Sequence, residues 1–459
     1  MDCRQLAIDL PGLSRKPIAL DFEGGDLSSD AGLIPLALAD QRMQLTQQMA
    51  AALHDPRDPR KIEHTLHDLL RERIYLIAQG YADQNDATSL RHDPVLKLSL
   101  GRTPSDAPLA SQSTLSRLEN QVTRADLVRL GQFFLDQFLT RCGEDPTWIT
   151  LDFDPFADEC HGAQQLCLFN GHYDAYCYLP LYLCGRIDGS RPYVIGALLR
   201  DGRAAPTEGA VSLLRRVVKA LRQQFPTVQI LVRGDGSFGV PEMIAACRAL
   251  NVNFLFGKPQ NARLHALSER VQLRAAVAYS VTKREEREFG EFRYAAESWK
   301  QEERVIVKAE VTCGKLNPRF VVTDLAAEDG WTPQAVYGCY CERGDAPENR
   351  IKELARDLSG DRLSCHDFLA NQFRLLLSVA AYMLIQTLQD GLAGSEGESA
   401  QAGTLRLALL KVAARVIERS RVVRVHLPTS YPLKRLWRRL IAALVQPPVR
   451  RRSEAFAAG

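Results

Sequence analysis

Apolar residues recur at helical spacing over Asp30 to Ala51 and again over Ile62 to Gln79, where Leu66, Leu69, Leu70, Ile74, Leu76 and Ile77 share one face. Ser111 to Glu119 opens with residues that cap helices and sets Ser113, Thr114, Ser116 and Arg117 near one helix start. A recognition helix of a helix-turn-helix unit is built this way, and so is an ordinary capped helix. From Trp148 the pattern changes. Short apolar runs at Trp148 to Phe153, Gln165 to Phe169, Tyr176 to Leu183 and Tyr193 to Leu199 predict strands. A helix over Glu208 to Gln224, a buried strand over Val228 to Val232, a helix over Pro241 to Leu250 and a strand over Phe254 to Gly257 follow.

Between Leu273 and Leu325 the pattern is almost wholly β, with strands expected at Ala275 to Val281, Arg287 to Tyr294, Arg304 to Val311 and Arg319 to Thr323. Helical periodicity returns over Glu348 to Leu358 and Phe368 to Leu388, and Gly391 to Gly403 is small and polar enough to be a flexible loop. Three strands, a crossover helix and a further strand make an α/β chain. The order is that of a ribonuclease-H-like core, here interrupted by a β-rich insertion at about 270–327. The expected domains are a mostly helical DNA-binding region over 1–145, the core with its insertion over 146–390, and a loop with a basic helical region over 391–459.

At 459 residues with 46% hydrophobic content the chain can bury a large core. No apolar run is expected to span a membrane and Met1 to Lys16 lacks a signal-peptide stretch, so a cytoplasmic location is expected. The eleven cysteines show no CxxC pair and are expected as reduced, mostly buried thiols. The net charge of +3 is unevenly spread: residues 401–459 carry thirteen Lys or Arg, Arg435 among them, against Glu418 and Glu454, which leaves −8 on the rest. Such a tail fits a polyanion, because neutralised phosphates release counterions. It also fits a solvated helix face.

Three places pair a carboxylate with a rigid element. In Leu151-Asp-Phe-Asp154 the period-2 alternation sets Asp152 and Asp154 on one face of a strand end. In Ile230-Leu-Val-Arg-Gly-Asp235 a buried strand runs into an aspartate and a Gly turn. In Tyr340 to Leu354, Glu348 and Lys352 lie four apart on one helix face, so a metal ligand and a phosphate-binding cation point the same way. Hard oxygen ligands at such positions suit two Mg²⁺ or Mn²⁺ ions, which activate an attacking hydroxyl and stabilise a leaving oxygen. Taken singly, Asp152 and Asp154 also suit strand terminators, Asp235 a turn, and Asp345 with Glu348 a helix cap. The DxD pair is also found in haloacid-dehalogenase phosphatases. Cys339-Tyr-Cys341 is expected as a half-buried strand.

In local wording these blocks resemble DDE-class insertion-sequence transposases, of the insertion sequence 1380 group. The resemblance runs from about Ser29 to Leu440 and includes Ser29-Asp-Ala-Gly-Leu, Leu151-Asp-Phe-Asp, His161-Gly-Ala-Gln-Gln165, Asn170-Gly-His-Tyr, Cys177-Tyr-Leu-Pro180, Arg233-Gly-Asp-Gly-Ser-Phe238 and Tyr340 through Lys352. It implies a triad of Asp154 or Asp152, then Asp235, then Glu348, and metal-dependent cutting and rejoining of DNA ends. It also implies a homodimer synapsed on double-stranded DNA in a bacterial cytoplasm. The alternative is a transposase-derived DNA-binding protein without catalysis. The related insertion sequence 4 group spaces Tyr, Arg, Glu and Lys regularly; here Tyr340 and Arg343 match, Pro347 stands where the acid is expected, and Glu348 comes one residue late. Trp299 lies among polar neighbours in the insert, and in similar transposases such an aromatic stacks on a flipped base. Arg343, Lys352, Ser113, Arg117, Arg435 and Trp299 are therefore the expected DNA contacts.

Overall fold

In the computed structural model residues 6–8, 18–345 and 347–446 are described. The basic residues Arg450 to Arg452 and Cys3 lie outside them. The described residues form two compact units, one drawn from residues up to 119 and from 380 onward, the other of residues 120–379.

The second unit is built on an eight-stranded mixed sheet. Its strands are β1 (Trp148–Pro155), β2 (Leu181–Ile187), β3 (Tyr193–Leu198), β4 (Gln229–Gly234), β5 (Asn253–Lys258), β6 (Glu286–Tyr294), β7 (Glu303–Thr312) and β8 (Lys315–Thr323). They lie in the order β6-β7-β8-β5-β4-β1-β2-β3. β1, β2 and β3 are antiparallel neighbours, and the helix Ala210–Gln224 crosses over so that β4 pairs parallel to β1, with β5 in turn parallel to β4. The insertion continues this same sheet, because β8 pairs antiparallel with β5.

Alternation along the central strands separates two cores. Ile149, Leu151, Phe153, Ile230 and Val232 face one of them, while Leu231 and Leu255 face Ile306, Val321, Val336 and Tyr337 on the other side. The helix Pro333–Asp345 supplies Val336 and Tyr337 and so covers the second face. Asp152, Asp154, Arg233 and Asp235 alternate onto that same side.

Three expectations about elements are corrected. Residues Glu269–Thr282 are a helix, not a strand, because Val271 and Ala275 bury one helical ridge and the alanines of Ala275-Ala-Val-Ala favour it. Cys339-Tyr-Cys341 is helical, within Pro333–Asp345. The helix Phe368–Gly391 is long and apolar enough by composition to cross a membrane, contrary to expectation, but 89% of its most apolar window is buried inside the protein.

A small sheet of Asp158–Glu159, Ala175–Tyr178 and Leu168–Asn170 also belongs to this unit. There Cys160 and Cys167 form a disulfide, with Cα atoms 6.5 Å apart across the short loop between the outer strands. The all-thiol expectation fails at this pair; Cys142, Cys177, Cys184 and Cys247 are buried thiols, and Cys313 and Cys341 are exposed ones.

In the first unit the helices Leu33–Met43, Leu45–Ala52 and Leu66–Gln79 match the periodicity. Segments from the C-terminal stretch fold with them: Ala414–Arg419 pairs with Asp26–Ser28 and with Val422–His426. Among the described residues the basic region is therefore partly β, with Lys434–Val445 its longest helix. The Ser29-Asp-Ala-Gly-Leu block has a structural reason. Asp30 is buried and pairs with Lys411 at 2.7 Å and the Tyr81 hydroxyl at 2.7 Å. A Cβ on Gly32 would sit 2.1 Å from the Leu410 backbone.

Candidate active site

The C-terminal ends of β1 and β4 place the first two acids. These strands pair in parallel with Asp152 beside Arg233 and Phe153 beside Gly234, so the next residues, Asp154 and Asp235, leave adjacent strand ends together. Gly234, Gly236 and Gly257 make this approach possible. A Cβ on Gly257 would meet the Tyr340 hydroxyl at 2.6 Å and the Gly236 nitrogen at 2.8 Å. Asp235 accepts from the backbone N–H and hydroxyl of Ser237, which fixes the turn.

The two aspartates of the DxD pair have different environments. Asp152 is buried, with both carboxylate oxygens taken by Arg233 at 2.7 and 2.9 Å, and Arg233 also donates to the Cys339 carbonyl. Asp154 is 14% exposed at its side chain and accepts from Arg343 at 2.9 Å. Burial pushes the Asp154 carboxyl up to about 6; Arg343 opposes that shift, and the charges of Asp235 and Glu348 add to it. Asp235 and Glu348, from two other elements, thus lie near enough to act on Asp154.

Glu348 lies on the helix Pro347–Lys352, which begins just after Pro333–Asp345 ends. The division between the helices falls within the stretch where the acid is one residue late, and Pro347, lacking an N–H, suits a first helical position. Glu348 pairs with Lys352 at 2.8 Å, as the four-residue spacing predicts. Glu342, on the preceding helix, pairs with Arg186 at 2.7 Å and holds that helix over the sheet.

The oxygen donors suit a hard divalent ion in chemistry, and mutual repulsion among neighbouring acids is what such a charge relieves. In side-chain arrangement Arg343 and Lys352 occupy Asp154 and Glu348. Among the described residues no group of three or more His, Cys, Asp or Glu side chains is set to hold a metal.

The remaining expected contacts fall elsewhere. Trp299 is half-buried, edge-to-face with Tyr294 at 5.5 Å and under the Lys258 ammonium at 4.7 Å. Lys258 ends β5, next to Gly257 and so beside the Asp235 turn. Ser113, Arg117 and Arg435 belong to the first unit and are all exposed, the first two on the helix Gln112–Asn120. His161 is exposed. Arg233 and Tyr340 were not singled out as site residues from sequence, since only the tertiary contacts reveal the first as the partner of Asp152 and the second as the cover of the Asp235 turn.

The model of the transposase DDE domain, group 1, matches residues 10–449. The chain belongs to the DDE transposase family. No curated protein matches it. For a DDE transposase family member the arrangement is coherent: the acids sit on strand ends and a helix start of a mixed α/β unit, and the family match spans nearly the whole chain.

Proposed function

We propose that this chain is an insertion-sequence transposase of the 1380 group, which binds the terminal inverted repeats of its element and cuts and rejoins DNA. The observation that carries this reading is the exit of Asp154 and Asp235 from adjacent parallel strand ends, with Glu348 on a helix near enough that its charge, like that of Asp235, adds to the effect of burial on the Asp154 carboxyl. A ribonuclease-H-like core is supported by the order β3-β2-β1-β4-β5 with its crossover helix.

Asp154, Asp235 and Glu348 are the residues that would hold Mg²⁺ or Mn²⁺, two ions in all; Asp152, closed by Arg233, stays outside. Bound there, the ions supply an activated hydroxyl and stabilise the leaving oxygen. Arg343 holds Asp154 in the absence of DNA and turns to a phosphate when a strand enters, its fork suiting two phosphate oxygens. Lys352 does the same from Glu348. Trp299, steadied by Lys258, stacks on a base turned out near the cut. The first unit reads the ends, with Ser113 and Arg117 at base edges and Arg435 and the exposed arginines of residues 415–424 on phosphates. Two copies act together on paired ends, in the cytoplasm.

The test is incubation of the protein with duplex taken from the DNA flanking its gene, with Mg²⁺. Nicking at the element end that disappears in Asp235→Ala supports the reading. Retained cutting in Asp235→Ala overturns the site, and binding by the wild type without any cleavage favours a non-catalytic DNA-binding protein.

A further inference from the structure

Three aromatic rings stand outside the core on one small sheet. Phe169 is 41% exposed, Tyr173 43% and Tyr176 62%. Phe169 and Tyr176 are direct cross-strand partners with ring centroids 5.6 Å apart, and His172 packs edge-to-face on Tyr173 at 4.8 Å. Rings of this size are normally used to bury area, so leaving them in solvent forgoes that stabilisation.

The support beneath them is rigid. Asn170 donates from its side-chain amide to the Gly202 carbonyl at 2.7 Å. Gly202 itself presses so closely that a Cβ would lie 2.2 Å from the Leu168 carbonyl and 2.4 Å from that of Cys177. Arg200 and Leu179 bond reciprocally, the Leu179 N–H to the Arg200 carbonyl at 3.1 Å and the Arg200 side chain to the Leu179 carbonyl at 2.7 Å. Rings held on such a base lose little freedom on binding, which favours recognition.

The position relates the rings to the acids. Phe156, two residues beyond Asp154, donates to the Pro180 carbonyl at 3.0 Å, so the small sheet hangs from the same strand end. Tyr173 lies within the field of Asp235 and Asp154, which adds to burial in raising its phenol. Exposed His172, packed on Tyr173, sets beside the rings a group able to meet a phosphate.

We propose that Phe169, Tyr173 and Tyr176 form a stacking platform for unpaired bases of the DNA strand that enters the Asp154, Asp235 and Glu348 site. The proposal rests on the transposase reading for the identity of that strand. It is separate from Trp299, which lies in the insertion. Every base has a π face, so the platform is tolerant of sequence and selects opened over paired DNA.

The test compares oligothymidylate with an abasic oligomer of equal length, by fluorescence anisotropy on the full chain without added metal. Wild type binds the thymidylate about tenfold or more tightly than the abasic strand, as expected for stacking of one or more bases. In Phe169→Leu, Tyr173→Leu and Tyr176→Leu that ratio falls toward one while abasic binding and melting temperature hold. A wild-type ratio near one overturns the platform without need of any variant, as does an undiminished ratio in all three variants. Base-dependent binding in a protein that nicks no flanking duplex supports the platform and overturns the catalytic reading alone.

Discussion

Arg343 donates to Asp154 at 2.9 Å although 189 residues separate them in the chain. The contact joins the end of a central strand to the helix that precedes Glu348, and it sets a cation on the acid that burial and two neighbouring charges hold near 6. A second pair, Asp152 with Arg233, lies one strand turn away on the same face and is closed to solvent. The two acids of one short motif thus differ in partner and in exposure.

Asp152→Asn is expected to destabilise the protein by about 3–5 kcal/mol, since it leaves Arg233 buried with a neutral partner. Asp154→Asn is expected to fold like wild type and to lose cleavage. Denaturant unfolding of both variants checks this, and an Asp152→Asn protein of unchanged stability would contradict it.

Glu72 gives a stability signal far from these acids. It is buried, accepts from the Ala110 N–H at 3.0 Å, and burial pushes its carboxyl up to about 8. The folded state therefore binds this proton more tightly than the unfolded chain. That contribution is full below about pH 4.5 and is lost as pH rises through about 8. Relative to Glu72→Gln, wild type should lose roughly 3–4 kcal/mol between pH 5 and pH 9. Melting curves that shift in parallel for both proteins over that range would refute it.

Much of this arrangement was legible from sequence and some was not. The apolar runs into Asp154 and Asp235 marked strand ends because a buried strand has few other ways to finish. The partners of those acids were hidden, since Arg233 and Arg343 reach them only through sheet register and helix docking. Within the helix Glu269–Thr282 the stretch Ala275 to Val281 has a strand-like pattern, because its Ala and Val fit either period until Val271 and Ala275 choose a ridge. The strands Ala414–Arg419 and Val422–His426 have the charges of a basic helical tail, while their β pairing depends on Asp26–Ser28 nearly the whole chain away.

Trp299→Ala is expected to leave first-strand nicking intact and to lower double-strand release. Loss of base stacking is worth roughly 1–3 kcal/mol, about ten- to a hundredfold. A time course on end-labelled duplex separates the two steps, and wild-type rates in both would show that the ring only packs against Tyr294 and its neighbours.

Salt dependence locates the phosphate contacts of the first unit. Arg419, Arg421 and Arg424 are exposed on and beside the strand pair, whereas Leu440 and Leu444 tie the following helix into the core, so substitution is a cleaner probe than truncation. Replacing the three arginines by Ala should flatten the slope of log affinity against log salt by about 0.9 for each phosphate lost. Ser113→Ala and Arg117→Ala should instead change the preference among end sequences. An unchanged slope in the triple variant would make the pair a solvated face.

The central claim is that Asp154, Asp235 and Glu348 together hold the metal that cuts DNA. Electron paramagnetic resonance of Mn²⁺ with the protein bound to its own end duplex reads this directly. Wild type is predicted to take up Mn²⁺ on the complex, while Asp154→Asn, Asp235→Asn and Glu348→Gln each bind the duplex alike and lose roughly tenfold or more in Mn²⁺ affinity. Undiminished Mn²⁺ uptake in the Asp235→Asn and Glu348→Gln complexes would contradict the account.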